Sequence, residues 1–419
     1  MKVLIVHNRY RPAAPSGEDA VVDQESAALS DRGHDVALFQ RHSEEIAGWS
    51  QLRRATLPVR LLWSQDSRRS IADLLDQFAP EIVHIHNIFP LVTPSILYAC
   101  RDAGVPVVAT IHNYKLGCAS GTLFRDGRVC HDCLGGSSRP ALTHGCYRGS
   151  AVTTAPVVFS SWLHRSAWRT MITAYLFISA AQQNVLAPVG LPADRSFVKH
   201  NFVPTPPPHA DVATEAQVAY VGRLDEAKGA PFLMRAWDAF RSRQPRSPLH
   251  LVVVGGGDMA GAVASWATQH PSVTMAGHVT RPEVFRILAQ SRAVVVPSQW
   301  EETFGMVAVE AMAVGTAAVA SEHGAFPELV THGSDGALFP PTDVDALVGV
   351  LTDIEGNPRR WHSYGQRARQ TYASRFSPDA GIDRLLEIYR FAVEHPVERS
   401  DRSGDVAGPY GRSAFGVPT

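Results

Sequence analysis

The apolar positions of this chain come in short β-branched runs separated by stretches of helical period. KVLIVHN, residues 2–8, opens as a buried strand. Residues 18–32 carry Val21, Val22, Ala28 and Leu29 on one side, a spacing that predicts a helix. HDVALFQ, EIVHIHN and VPVVATIHN supply three further strands. Alternation of this kind predicts right-handed βαβ units around a parallel sheet. Each strand ends in a polar cluster, and open parallel sheets bind ligands at the carboxyl ends of their strands.

The alternation breaks at NFVPTPPPHADVATEA, residues 201–216, where consecutive prolines and small polar residues read as a linker. It then restarts: QVAYVGRL, LHLVVVGGG, SVTMAGHV and RAVVVPSQ are strands, and GTAAVAS follows a helix. Two doubly wound domains of the same class are expected, 1–205 and 206–375, with a cleft at their interface. FSPDAGIDRLLEIYRFAVEH is an amphipathic helix with Leu385, Leu386, Ile388 and Tyr389 within two turns, placed at 376–398. The tail 399–419, rich in Gly, Ser and Arg without period, reads as disordered.

Composition narrows the classes. The 419 residues include 39 basic and 40 acidic side chains, a net charge of −1, so no global field favours nucleic acid. At 45% hydrophobic and 19% charged residues the chain is globular, and no apolar run approaches the roughly 18 residues of a spanning helix. MKVLIVHNRY lacks the features of a signal peptide, so a cytoplasmic protein is expected. Five cysteines are too few for a disulfide scaffold at this length.

Candidate chemistry concentrates in the second half. In YVGRLDEAKGAPF, Gly222 and Arg223 turn out of a strand and Lys228 precedes a helix, an arrangement of cations and free N–H groups that suits a diphosphate. A turn with a solvated lysine fits the same residues. In SQWEETFGMVAVEAMAVG, residues 303–305 lead into a helix, which puts Glu302 in the preceding loop and Glu310 in the first or second turn. Carboxylates there can accept paired hydroxyl hydrogen bonds from a ribose or hexose, although a helix dipole alone favours such glutamates. LVVVGGGDM does not fit the dinucleotide fingerprint and reads as a strand-to-turn feature.

Taken in order, these segments resemble the retaining glycosyltransferases of group 1, or family four, of the GT-B fold: two Rossmann-like domains facing across a cleft. The resemblance rests on GRL-x3-KG at 222–229, the glycines at 255–257, GHV at 277–279, E-x7-E from Glu302 to Glu310, EAMA, and GAFPELVTHGSDGALFPPTD at 324–343, with IHNYKLGC in the first half. It implies a sugar transferred from a UDP- or GDP-sugar to a hydroxyl acceptor, with no metal required for catalysis. Arg223 and Lys228 would hold the diphosphate and stabilise its growing charge. Glu310 would hold the ribose and Glu302 the donor sugar. Phe304, Gly305, Met306 and Val307 would line the donor at the helix start. The family's paired glycines are Gly324-Ala325 here, and Ser16-Gly17 in the first domain, where Gly17 would let backbone approach a phosphate or sugar. The first domain would supply the acceptor side, with His112 facing the reacting sugar and the last helix crossing back to it. Glu18 reads as a helix cap.

His7, His84 and His86 read as core histidines, with one of the latter two expected to face the sheet. Cys118, Cys130, Cys133 and Cys146, in the loop 117–149, have the types and spacing of a structural zinc set, with His131 and His144 as spares. Free thiols or disulfides fit the same spacing. WSQLRRATLPVRLLWSQDSRRS, with Pro58 expected to break a surface helix, mixes Arg with Trp and Leu. Such a stretch fits peripheral contact with the inner face of a membrane and a lipid-linked acceptor, in polysaccharide, glycolipid or glycoconjugate assembly. Sugar or small-molecule acceptors fit as well, and so do two rival activities: an epimerase or hydrolase of this fold, and a non-catalytic sugar-nucleotide binder.

Overall fold

The computed structural model describes residues 1–10, 17–206 and 214–397. The central part of the expected linker, Ser16 and the Gly/Ser/Arg-rich tail lie outside the described residues. In the N-terminal half the strands are β1 (Lys2–Arg9), β2 (Asp35–His42), β3 (Ile82–Ile85), β4 (Val107–Ile111), a small hairpin of β5 (Phe124–Arg125) and β6 (Arg128–Val129), then β7 (Ala174–Phe177) and β8 (Ser196–Val198). All but the hairpin form one parallel sheet ordered β2-β1-β3-β4-β7-β8. The second half contributes β9 (Gln217–Val221), β10 (His250–Val254), β11 (Val273–Gly277), β12 (Ala293–Val296), β13 (Ala317–Ser321) and β14 (Gly336–Phe339), a parallel sheet ordered β11-β10-β9-β12-β13-β14.

Strand β3 is buried along its whole length and so are β4, β7, β12 and β13, as required of parallel strands covered by helices on both faces. In the second sheet Trp237 and Phe240 fill one face, and Ala308, Met312 and Ala313 fill the other. Strand order reverses between β1 and β3 in one sheet and between β9 and β12 in the other. Such reversals open crevices at the strands' carboxyl ends.

The helix Pro378–Glu394 starts on a Ser377 cap with Pro378 in its first turn. It places Ile382, Leu385, Ile388 and Tyr389 against Val3, Ile5, Val22 and Leu29 of the first domain. Each such burial is worth about 1.5–3 kcal/mol. The chain therefore crosses between domains twice, and the crossings are tied together: the Val203 N–H donates to the Phe376 carbonyl at 3.1 Å, and the Tyr372 hydroxyl donates to the Val203 carbonyl at 2.9 Å.

One expectation is corrected. Pro58 does not break a helix; it lies in the first turn of Leu57–Leu62, and the break falls at Thr56, which caps the short helix Gln51–Ala55. The helix Ala151–Leu163 packs on this segment, with Ser160 Oγ donating to the Leu61 carbonyl at 3.0 Å. Its opposite face leaves Val152, Phe159 and Trp162 exposed, beside exposed Leu52 and Val59. No helix among the described residues is long and apolar enough to cross a membrane.

Candidate active site

The second sheet builds the site at its β9/β12 reversal. Lys228 follows β9 and Glu302 follows β12, so the two loops face one another across the crevice. The Lys228 Nζ lies 2.6 Å from Glu302 Oε2. The same oxygen accepts from Trp300 Nε1 at 3.0 Å and from Ser298 Oγ at 3.1 Å. Burial opposes the Glu302 charge, yet Lys228 and these donors outweigh it and hold the carboxyl below its ordinary range. Glu302 is thus an ionised, buried carboxylate at neutral pH.

Glycines make these loops possible. Gly229 has φ +77°, and a Cβ there would lie 1.9 Å from the Pro297 carbonyl oxygen. Gly324 has φ +58°, and its Cβ would lie 2.5 Å from the Glu302 nitrogen. The next residue, Ala325, has φ −79° and donates its N–H to the Glu302 carbonyl at 2.9 Å. A second glycine is unnecessary at that position, which accounts for the Gly324-Ala325 departure. At 255–257 the close approach is to the 222–224 turn, with a Gly255 Cβ 1.9 Å from the Gly222 carbonyl oxygen, so this run serves packing.

Gly305, at φ +100°, caps the helix Met306–Ala313; the Ala308 N–H donates to the Gly305 carbonyl at 3.0 Å, and the Met306 and Val307 N–H groups have no intrahelical acceptors. Phe304 is buried, with its ring against His200 and Phe376, so only its backbone can face a ligand. Glu310 lies in the second turn and does not join Glu302. It pairs instead with Arg281 at 3.3 Å. Burial raises its carboxyl above the ordinary range, with Arg281 opposing. Arg223 is mostly exposed and pairs with Asp225 at 3.2 Å, while Asp225 Oδ1 also accepts the Lys228 N–H at 2.7 Å. Arg281, Ser298 and Trp300 had escaped the sequence reading. An arginine opening a helix, and a serine and a tryptophan in a loop, carry no motif, and the Arg281–Glu310 pair joins segments that follow β11 and β12, strands separated in the sheet by β10 and β9.

In the first domain His112 lines a cavity of about 460 Å³ with Glu18, Asn113, Lys115 and Trp168. Its Nε2 lies 2.9 Å from His86 Nδ1, with the rings stacked. Burial drives His112 down to about 3, so the ring is neutral. His84 and His86 both face the same side of the sheet, as positions two apart on a strand must, with rings 4.1 Å apart. Both are held neutral by burial, followed by the repulsion of neighbouring cationic groups. His7 Nε2 meets Asp19 Oδ1 at 2.7 Å. Glu18 does more than sit in a helix's first turn: it accepts from Asn113 Nδ2 at 2.8 Å and lines the cavity. Gly17 opens its helix, and among the described residues nothing lies within 4 Å of a hypothetical Cβ there.

Glu25, His84 and His86 bring three ligand-type atoms within 4.8 Å of one another. They do not make a convincing metal site. His84 spends both nitrogens on Tyr389 and Thr110, at 2.7 Å each, and the Lys199 ammonium already pairs with Glu25. The four clustered cysteines line a separate pocket with Leu123, Phe124, Ala141, Ser120 and Arg125, apart from buried Cys100.

The two domains meet beside Glu302. Ser179 Oγ donates to the Thr303 carbonyl at 2.7 Å, and His131 Nε2 lies 2.9 Å from Glu301. Two doubly wound domains meeting across a cleft, with a cation–carboxylate pair at one sheet's reversal, define the GT-B class. Residues 206–371 match the family described as glycosyl transferases group 1, and residues 15–206 match glycosyltransferase family 4. The chain belongs to the group 1 glycosyltransferases. It is 25% identical over 423 residues to a glycogen synthase of Mycobacterium tuberculosis, covering 93% of this chain and 94% of that one. It is 32% identical over 192 residues to a D-inositol 3-phosphate glycosyltransferase of Mycobacterium avium, covering 43% of each. Among solved structures, sucrose-phosphate synthase of Thermosynechococcus elongatus has a TM-score of 0.67 at 19% identity, covering 93% of this chain and 98% of that one. HepE of Anabaena, in complex with UDP-glucose, has a TM-score of 0.62 at 18% identity, covering 92% and 98%.

Proposed function

We propose that the protein transfers a sugar from a nucleoside-diphospho-sugar, UDP- or GDP-linked, to a hydroxyl acceptor with retention of anomeric configuration. The observation that carries the reading is the Lys228–Glu302 pair at the sheet's reversal, beside a Gly305-capped helix start. In the ligand-free protein the lysine rests on the carboxylate. When a donor enters, the diphosphate competes for the ammonium and sugar hydroxyls donate to Glu302, so each charge exchanges one partner for another. Arg223, mostly exposed and paired among the described residues with Asp225, can swing onto the diphosphate. The Met306 and Val307 N–H groups add donors at the helix start. Glu310 accepts the ribose hydroxyls, with Arg281 as its resting partner.

Lys228 and Arg223 stabilise the charge that grows on the leaving diphosphate. That diphosphate takes the acceptor proton on the face it leaves, so the reaction calls for no added divalent metal and no second carboxylate at glycosidase spacing. Neutral His112 borders the sugar from the other domain as a hydrogen-bonding group. HepE, solved with UDP-glucose, supports a nucleotide-sugar donor.

The acceptor is proposed to be lipid-linked and met at the cytoplasmic face of a membrane, in polysaccharide, glycolipid or glycoconjugate assembly. Support comes from exposed Phe159 and Trp162, whose rings stack 5.4 Å apart, with exposed Leu52 and Val59 and the neighbouring Arg53 and Arg54. Apolar anchors ringed by arginines suit an anionic bilayer surface. The test is a donor screen by nucleoside diphosphate release with and without acceptor, followed by NMR of the product's anomeric centre. Release that ignores the acceptor would favour a hydrolase, and an inverted product would overturn retention.

A further inference from the structure

The loop between β4 and the helix Ala151–Leu163 has little to hold it in shape. Its regular structure is the hairpin β5–β6 and one turn of helix, Arg139–Thr143, and beyond Tyr114, which anchors its start, its fully buried apolar side chains are Leu123 and Ala141. Small modules of this kind need a staple. The backbone nevertheless brings four cysteines to one place. Cys118 closes a turn, its N–H donating to the Tyr114 carbonyl at 2.8 Å. Asp126 and Gly127, at φ +53° and +73°, turn the hairpin tightly. Cys130 follows β6 and donates its N–H to the Leu123 carbonyl at 2.7 Å, and the next turn, Leu134 N–H to the His131 carbonyl at 3.0 Å, presents Cys133. Cys146 arrives from the other side, its N–H donating to the Ala141 carbonyl at 3.0 Å.

All four cysteines line one pocket, whose remaining walls are Ala119, Ser120, Leu123, Phe124, Arg125 and Ala141. Among the described residues no carboxylate or imidazole lines it. His131, half-exposed, is turned to Glu301, and His144 is exposed, so neither is a ligand. Donors point at the sulfurs: the Ala141 N–H at Cys133 and the Arg125 side chain at Cys146.

We propose that Cys118, Cys130, Cys133 and Cys146 bind one structural zinc ion. An all-sulfur ligand set selects a soft tetrahedral ion over magnesium or calcium, and four protein ligands leave no open position for catalysis. Zn–S bonds of about 2.3 Å require sulfurs about 3.8 Å apart. No three of the four sulfurs lie within 4.8 Å of one another, so binding draws them inward and releases their protons. The staple has a consequence across the cleft. His131 lies between two of the ligands and meets Glu301, the residue before Glu302, at 2.9 Å. Zinc therefore fixes the first domain's side of that clasp. The metal site stands independently of the transfer reading; the effect of the clasp on donor binding rests on it.

The full chain, purified without an affinity tag that binds metal, is analysed for zinc by mass spectrometry and titrated with a mercurial while released metal is read by a chromophore. The expected result is one zinc per chain, released as four thiols react. Growth in cobalt should give the charge-transfer and ligand-field bands of a tetrahedral thiolate site. Cys130→Ser and Cys133→Ser should lose the metal; if they fail to fold, the wild-type stoichiometry still decides. His131→Ala should keep its zinc while the donor KM rises about threefold to tenfold. A folded wild-type protein without zinc, with these thiols freely reactive or paired in disulfides, would overturn the site. An unchanged KM in His131→Ala would overturn the clasp alone.

Discussion

Replacing Lys228 by alanine separates the chemistry of the site from its stability. The ammonium is 2.6 Å from a carboxylate whose side chain is 7% exposed, and it is the one cation paired with Glu302 among the described residues. Its loss leaves Glu302 with the Ser298 and Trp300 donors. A charge-assisted hydrogen bond of this kind is worth about 1.5–3 kcal/mol, and the buried carboxylate can recover part of that by taking a proton. The melting temperature should fall by roughly 3–10 °C. Turnover should fall much further, by about 10²–10³-fold, the cost of removing one preorganised donor of charge to a leaving group, or about 2.7–4 kcal/mol. The assay is nucleoside diphosphate release at saturating donor, beside a thermal melt. The double variant Lys228→Ala/Glu302→Gln removes the unpaired charge, so it should regain most of the lost melting temperature and none of the turnover. A folded K228A protein within threefold of wild-type turnover would refute the role of Lys228. So would activity restored in step with stability by the double variant.

The other expectations rest on different features. His84, His86 and His112 are all held neutral in the fold, so an unfolded chain binds more protons below the ordinary histidine value of 6.5. Stability should therefore drop as pH falls through 6 to 5, by up to about 4 kcal/mol per unit if all three stay neutral, read as a steep loss of melting temperature. Glu302 acts lower. Its depressed carboxyl contributes stability that persists above the ordinary value of 4.5 and is lost as pH falls through the depressed one, so Glu302→Gln should flatten only the most acidic part of the same curve. Gly324→Ala, with its Cβ 2.5 Å from the Glu302 nitrogen, should lower kcat/KM at least tenfold while the protein stays folded; wild-type kinetics would remove the argument for that close approach. Phe159→Glu/Trp162→Glu should abolish co-sedimentation with anionic vesicles and leave diphosphate release with a soluble acceptor unchanged; equal sedimentation would end the membrane reading.

Much of the fold was legible because β-branched runs with helical spacing between them leave few alternatives. KVLIVHN, EIVHIHN and RAVVVPSQ each hold a strand where expected. Strands β7, β8 and β14 went unread: AYLF and GALF are four residues long, SFV is three, and each becomes a strand only because an ordered neighbour offers a free edge. At the site the order of Arg223, Lys228, Glu302 and Glu310 was readable as motif, but partnerships were not. Glu302 and Glu310, eight positions apart in E-x7-E, take different cations because one lies in the loop after β12 and the other in the second turn of the helix. The stacked His86 and His112 come from strands whose adjacency no local pattern encodes.

The last helix gives the protein a peculiar order of manufacture. Ile82, Val108 and Leu176, made long before the last helix, complete one buried cluster with its Ile382, Leu385 and Tyr389. At about 5–20 residues per second, the ribosome needs roughly ten to forty seconds to travel from the end of the first sheet to that helix. For that interval the nascent first domain presents an oily, uncovered face while the second domain is being built beside it. The N-terminal half is thus a debtor to the C-terminal end, and a message truncated before codon 378 should yield a chain that chaperones retain.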